Sequence, residues 1–229
     1  MAGGDEAGRG AVLGPLVVSV VAVSDSKEKK FGRIGIRDSK LLSRRKREFL
    51  WEEIYSIAEE VKFYKISAGE INIAMKGNIS LNELEAIHFT RLVDSLESDV
   101  RKIYVDSPDV IQERFGIRIG IMSKKPMRVD KVKGKRIAKA IKIVSEHKAD
   151  TKYPVTSAAS IIAKVERDKE MDRISDEVGI ELGSGYPSDK MTVGAIRENL
   201  GSIALSQYIR QRWKTMDDIR QFKMSDFVK

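Results

Sequence analysis

Acidic residues recur in this chain where apolar, strand-like runs begin or end. "GGDEAGRG" (3–10) sets Asp5 beside Glu6, ahead of a glycine–arginine–glycine turn and the apolar run Leu16 to Val23. Asp106 closes the β-rich run "KIYVD" (102–106), and Asp150 follows "IKIVSEHKA". Carboxylates at the ends of neighbouring strands can converge on one point although they lie far apart in sequence. Packed together they repel and would partly protonate. Divalent cations remove that penalty, and hard oxygen ligands select Mg²⁺ or Mn²⁺. Two such ions about 4 Å apart form the clamp used for in-line phosphodiester hydrolysis. Each acid taken singly is equally well explained as a surface or capping residue, since the chain has 34 of them. Asp109 reads that way, as a helix-start residue after Pro108. The N-terminal pair leaves two readings open, a solvated tail or chemistry mounted on a sheet edge.

The elements that would position these groups follow from periodicity. "LVVSVVAV" (16–23) is a β-branched run of buried type, and the glycine-rich segment before it reads as a turn. With four residues ahead of Asp5, any strand there is expected to be short or poorly paired. Ser43 to Val61 predicts a helix with Leu50, Ile54, Ile57 and Val61 on one face, followed by a strand at "VKFYKIS" (61–67). "SLNE" (80–83) has the pattern of a capping box, opening a helix whose apolar face carries Leu81, Leu84, Leu92 and Leu96. "IRIGIM" (117–122) and "IKIVS" (141–145) are strand candidates. Residues 156–178 predict a long helix with Ala158, Ile162, Val165, Ile174 and Val178 inward, and beyond "GSGYPSD" (183–189) the pattern is helical and polar, with a basic-aromatic stretch at "QYIRQRWK" (207–214). Strands followed by alternating helices and strands imply an α/β chain, a mixed sheet with helices packed on it.

The bulk composition narrows the class. A chain of 229 residues that is 41% hydrophobic is not disordered, and the absence of cysteine excludes disulfides, thiolate metal sites and cysteine nucleophiles. The net charge of +8 is concentrated, because Lys124 to Lys148 holds ten basic and two acidic residues and the rest of the chain sums to zero. Such a stretch suits a polyphosphate partner, and suits a Lys-rich solvated surface about as well. The run Ala11 to Val23 is too short for a membrane span and is interrupted by Gly14-Pro15. The leader carries acids rather than the basic residues of a signal peptide, so a cytoplasmic protein with no membrane partner is expected.

Together "GDEAGRG", "GPLVVSVVAV", "RDSKLLS", "SLNELEA", "YVDSPD", "EHKADTKYPVTSAASIIAKVERD" and "GSGYPSD" resemble ribonuclease HII in its archaeal form, in order over roughly residues 1 to 200. The resemblance implies a ribonuclease H-like mixed β-sheet flanked by helices, with a catalytic domain over 1–190 and a C-terminal helical substrate-binding appendage over 191–229. It implies that Asp5, Glu6, Asp106 and Asp150 are both metal ligands and catalytic residues for two Mg²⁺ or Mn²⁺ ions. The implied substrates are RNA–DNA hybrids and ribonucleotides embedded in duplex DNA, cut to 3′-hydroxyl and 5′-phosphate ends. The turn Gly8, Arg9 and Gly10 would sense the 2′-hydroxyl, as suits glycines that let backbone approach closely and an arginine fork for phosphate. Tyr186 matches a tyrosine that stacks on the neighbouring deoxyribose. Lys40 and Lys164 match positions that meet the nucleic-acid backbone, and Ser157 and Ser160 are expected along the same groove. His88 reads as a helix residue of surface or core, and His147 as a neighbour of the metals rather than a ligand. Gly4 and Ala11 depart from the family pattern, which has an aliphatic residue before the first aspartate and a proline after the turn.

The tail "QFKMSDFV" (221–228) has the spacing of a sliding-clamp-binding segment in Gln221, Met224 and Phe227, with Val228 where a second aromatic is usual. A monomer is expected. Ribonuclease HIII is the nearest alternative, although it normally carries an extra N-terminal domain and a different turn. A non-catalytic hybrid-binding module is the other, and four carboxylates beside a polyanion argue against it.

Overall fold

Ala2 to Ala7 form a full strand, β1 (Ala2–Ala7), with Asp5 and Glu6 inside it rather than ahead of one. The structure is a computed structural model and describes residues 1–36, 42–132 and 139–226, the last five by backbone alone. The chain continues through β2 (Leu16–Ala22), α1 (Asp25–Arg33), α2 (Arg44–Ile57), β3 (Glu60–Ile66), α3 (Ala68–Lys76) and α4 (Leu81–Asp94). Then come β4 (Lys102–Asp106), α5 (Gln112–Met122), β5 (Met127–Val129), β6 (Ile141–Glu146), α6 (Ala149–Lys152) and α7 (Pro154–Val178). The last elements are α8 (Lys190–Glu198), α9 (Ile203–Ser206) and α10 (Lys214–Asp226).

Among the described residues, six strands form one mixed sheet in the order β3-β2-β1-β4-β6-β5. β1 is therefore interior to the sheet, and the sheet-edge and solvated-tail readings of the acidic pair both fall. It is also well paired, running parallel to β4 with Ala2 opposite Ile103, Gly3 opposite Tyr104 and Gly4 opposite Val105. β4 in turn runs parallel to β6, with Asp106 opposite Glu146.

The expected strand at "IRIGIM" is instead the second half of α5. A short apolar run cannot be assigned by periodicity alone, and here burial decides it. Phe115, Gly116 and Ile119 turn inward while Ile121 is left 79% exposed. A Cβ at Gly116 would stand 3.0 Å from Ser145 Cβ and 3.2 Å from Val129 Cγ1, so glycine lets α5 lie close against β5 and β6. α2 is capped by Ser43, which accepts from the Lys46 N–H, but it ends at Ile57, and Val61 belongs to β3. A reciprocal capping box at Ser67 and Glu70 opens α3. The inward face of α4 carries Leu84, His88, Phe89 and Val93, with Leu81 and Leu92 half-buried.

Two compact units interleave along the chain. Met1–Ala7, Val18–Tyr64 and Asn82–Val165 make the first, and Gly8–Val17, Lys65–Leu81 and Glu166–Lys229 the second. The first unit's core joins Val21, Phe31, Leu50 and Ile54 to Val155, Ala158, Ile161 and Ile162 of α7. The second has its own core, from Val12 and Leu13 through Met171, Ile174, Leu182 and Ile196 to Leu205, Ile209, Met216 and Ile219. No helix among the described residues is long and apolar enough to cross a membrane.

Candidate active site

Strand register brings two of the four expected carboxylates abreast. Gly4 pairs with Val105, and Asp5 and Asp106 are the next residue on each of these parallel strands. Asp5 is buried, its Oδ1 accepting the Glu6 N–H at 2.8 Å. Burial first, and then the charges of Glu6 and Asp106, push the Asp5 carboxyl well above its ordinary value; hydrogen bonds from Ser160 and the Glu6 N–H pull the other way without offsetting this.

Asp150 arrives by a different route. After β6, Lys148 adopts a left-handed conformation (φ 57°) and starts the single turn α6. The Ala149 N–H donates to Asp106 Oδ1 at 2.9 Å, which fixes this turn against the end of β4, and Asp150 is the next residue, 95% buried. Asp5 is thus within electrostatic reach of both Glu6 and Asp106, and Asp150 is tethered through its neighbour. Among the described residues, no three His, Asp or Glu side chains already surround one point as an ion cage. The donor set nevertheless fits a hard divalent cation. It consists of carboxylate oxygens, and Asp5 carries an electrostatic penalty from its acidic neighbours of the kind a bound cation would relieve.

The other predicted residues divide by environment. Ser160 is a hydrogen-bond donor to Asp5, and Ser157 donates to the Ile36 carbonyl; both are 1% exposed, so they face the interior rather than an open groove. Lys164 is half-buried on α7, and Lys40 lies outside the described residues. His147 is exposed, its Nε2 at 2.7 Å from the Asp109 carbonyl, and His88 is a core residue stacked on Tyr64. Asp109 does not start a helix. Its carboxylate accepts from Asn82 Nδ2 at 2.6 Å and Arg118 Nε at 3.4 Å, tying the loop after β4 to α4 and α5. Within the basic window Lys131 pairs with Glu146 and Lys142 with Asp130, while residues 133–138 lie outside the described residues. Gln221 is exposed on α10, Met224 is described by backbone alone, and Phe227 lies outside the described residues.

The second unit holds the glycine–arginine–glycine turn and Tyr186 together. Gly8 has φ 89°, and the Ala11 N–H closes the turn on the Gly8 carbonyl at 3.1 Å. Arg9 is half-buried and Gly10 exposed. The Gly185 carbonyl accepts from the Val12 and Leu13 N–H groups, and a Cβ at Gly10 would stand 4.0 Å from the Tyr186 ring. Arg167, buried and unremarked in the sequence, packs its guanidinium over that ring at 4.6 Å and donates to the Ser184 carbonyl at 2.7 Å. The only sequence signal for it was a basic residue in the otherwise apolar face of a long helix.

Asp189 sets the tyrosine loop. Its Oδ1 accepts from the Met191 N–H at the start of α8, and its Oδ2 from the Ser184 N–H (2.6 Å) and hydroxyl (2.8 Å). Those bonds, the Ser184 N–H foremost, hold its carboxyl below the usual range. A depressed value contributes stability that is present above the unfolded pKa and lost as pH falls through the folded one. Asp189→Ala is therefore expected to cost about 1–2 kcal/mol at pH 7. In urea titrations the gap should close on acidification; an equal gap at all pH values would refute this role.

The family model described as Ribonuclease HII matches residues 2–216. The chain is similar to the ribonuclease HII of Archaeoglobus fulgidus, 39% identical over 226 residues that cover 99% of each protein. Among solved structures it is similar to the ribonuclease H2 of Pyrococcus horikoshii OT3, with a TM-score of 0.81, 37% identity and 96% and 97% of the two chains covered. It is also similar to the ribonuclease HII in the PCNA:RNase HII complex from Archaeoglobus fulgidus, with a TM-score of 0.78, 38% identity and 93% and 94% covered. On the strength of a profile match along nearly its whole length, and of relatives that align from end to end, the chain belongs to the ribonuclease HII family of phosphodiester hydrolases.

Proposed function

We propose that this chain hydrolyses the RNA strand of RNA–DNA hybrids and cuts 5′ of ribonucleotides embedded in duplex DNA, leaving 3′-hydroxyl and 5′-phosphate ends. The observation that carries this reading is the placing of buried Asp5 within electrostatic reach of both Glu6 and Asp106 on central strands, with the Asp150 turn hydrogen-bonded to Asp106. In a protein that only bound a polyanion, such a cluster would repel its ligand and destabilise the fold.

Asp5, Glu6, Asp106 and Asp150 would hold two divalent cations, Mg²⁺ or Mn²⁺, which when bound supply activation of water and neutralisation of charge on the phosphate and leaving oxygen. The protein's own residues do the rest. Ser160 and the Glu6 N–H fix the orientation of the Asp5 carboxylate, and the Ala149 N–H does so for Asp106. Gly8, Arg9 and Gly10 read the 2′-hydroxyl, since that group alone separates ribose from deoxyribose. Tyr186 stacks on the sugar beyond the ribonucleotide, and Lys40 and Lys164 meet the backbone. The C-terminal helical region, residues 191–229, completes the substrate surface. Its tail, through Gln221, Met224 and Phe227, engages a sliding clamp; a relative of 38% identity is known in a PCNA:RNase HII complex. The protein acts as a monomer in the cytoplasm.

The test is duplex DNA with one ribonucleotide, incubated with Mg²⁺ or with EDTA. Metal-dependent scission immediately 5′ of the ribonucleotide is expected. Tight binding without scission would make the chain a binding module instead. Arg9→Ala should lower the preference for ribo- over deoxyribonucleotides by about ten-fold, as loss of a charge-assisted contact implies. Selectivity equal to that of the parent would remove the turn from the sensing role.

A further inference from the structure

Arg210 is the largest fully buried side chain among the described residues. A guanidinium is rarely placed there unless its hydrogen bonds are made and matter, because desolvating it is costly. Two of those bonds land on the Gly8–Pro15 loop. Nε donates to the Gly14 carbonyl and Nη1 to the Arg9 carbonyl, each at 3.1 Å. Backbone contacts set the same register: the Arg210 N–H donates to Val12 O, the Gly14 N–H donates to Tyr208 O, and Leu13 bridges Ile209. The Trp213 ring lies 5.1 Å from the guanidinium and limits its swing.

The Arg9–Gly10 peptide is trans, as are all the peptide bonds described. In a trans peptide the carbonyl and the following N–H point in opposite directions. Holding the Arg9 carbonyl inward therefore turns the Gly10 N–H outward. Gly10 is exposed, and among the described residues its N–H meets no protein acceptor.

We propose that Arg210 is a positioning residue for sugar selection: by gripping the Arg9 carbonyl it aims the Gly10 N–H at the 2′-oxygen of a ribonucleotide. This rests on the turn being the ribose sensor. Lysine at 210 keeps the charge but not the two-pronged fork, so it cannot hold Arg9 and Gly14 together.

The experiment compares the full-length parent, Arg210→Lys and Arg210→Met. Each is titrated without cleavage, in EDTA, against a duplex with one ribonucleotide and the all-deoxy duplex, and then assayed with Mg²⁺. A folded Arg210→Lys is expected to lose about ten-fold of its ribonucleotide preference, as a broken hydrogen-bond alignment implies, with the loss in KM rather than kcat. Preference intact in the parent and in Arg210→Lys alike overturns the inference alone. A parent with no preference brings down the sensing role of the turn, and the inference with it. Should both variants fail to fold, amide exchange in the parent decides. A freely exchanging Gly10 amide beside a protected Arg210 Nε–H supports the geometry, and the reverse pattern overturns it.

Discussion

Asp106→Asn is expected to lower turnover on a duplex with one embedded ribonucleotide by about 10³-fold or more, a barrier increase of about 4 kcal/mol or more. Affinity for the same duplex should stay equal or tighten. Both parts follow from the position of Asp106 at the end of β4. Its negative charge adds to the penalty on Asp5, and it is one of the acids that would neutralise a cation pair. Removing one charge relieves repulsion in the metal-free protein and lightens the repulsion felt by a phosphate backbone. Folding should survive, because the Asp106 Oδ1 bond from the Ala149 N–H can be kept by an asparagine carbonyl oxygen. Single-turnover cleavage, binding titration and thermal melting separate these effects. If melting collapses along with activity, Asp106 is a structural residue and the catalytic reading of the acidic cluster loses its main support.

The second large effect concerns stability. Gly3→Ala is expected to destabilise the fold by about 3 kcal/mol, at the upper end of overpacking costs. A Cβ there would stand 2.5 Å from the Val155 carbonyl oxygen and inside contact distance of the Thr156 nitrogen. These are backbone atoms at the start of α7 and have no rotamer by which to yield. The neighbouring Gly4 faces a side chain instead, with Phe89 Cε1 2.9 Å from its would-be Cβ, so Gly4→Ala should cost less. At this chain length each kcal/mol is worth about 2–4 °C, giving a fall in melting temperature of about 6–12 °C for Gly3→Ala. An unchanged melting temperature would mean that β1 and α7 are free to part. The same contact bears on the family departure at position 4, because an aliphatic side chain there would have to displace the Phe89 ring.

Much of the fold was legible because it is local. β4 ends on Asp106 as the β-rich run before Pro108 implied, and α7 spans the expected segment with Pro154 in its first turn. The failures share one cause. "IRIGIM" has a strand-like composition, but in the fold it is the second half of α5, packed through Phe115, Gly116 and Ile119 against β5 and β6. Ser157 and Ser160 were expected along a nucleic-acid groove, but the start of α7 is buried on nearly all sides. Asp109 carries the signature of a cap and serves instead as an anchor for Asn82 and Arg118, neither of which is close to it in sequence.

The same division holds for the site. The order and spacing of the motifs singled out Asp5, Glu6, Asp106, Asp150, the turn and Tyr186 as the residues to which the proposed chemistry is assigned, because residue type and near-neighbour context are written directly in the chain. That Asp5 stands beside Asp106, about a hundred residues on, depends on strand order and on a register set by hydrogen bonds between β1 and β4. That its carboxyl is pushed up depends first on burial, then on the adjacent Glu6 and on the Asp106 charge that β4 brings alongside. Arg167, and Arg210 within the basic-aromatic stretch 207–214, carried no assigned role in the linear chain, and became supports of the tyrosine and the turn once burial left their guanidinium groups a small set of acceptors to satisfy. Sequence fixes what each segment can do alone; which groups share a desolvated space is settled by packing, because desolvation and Coulomb energy depend on distance in three dimensions.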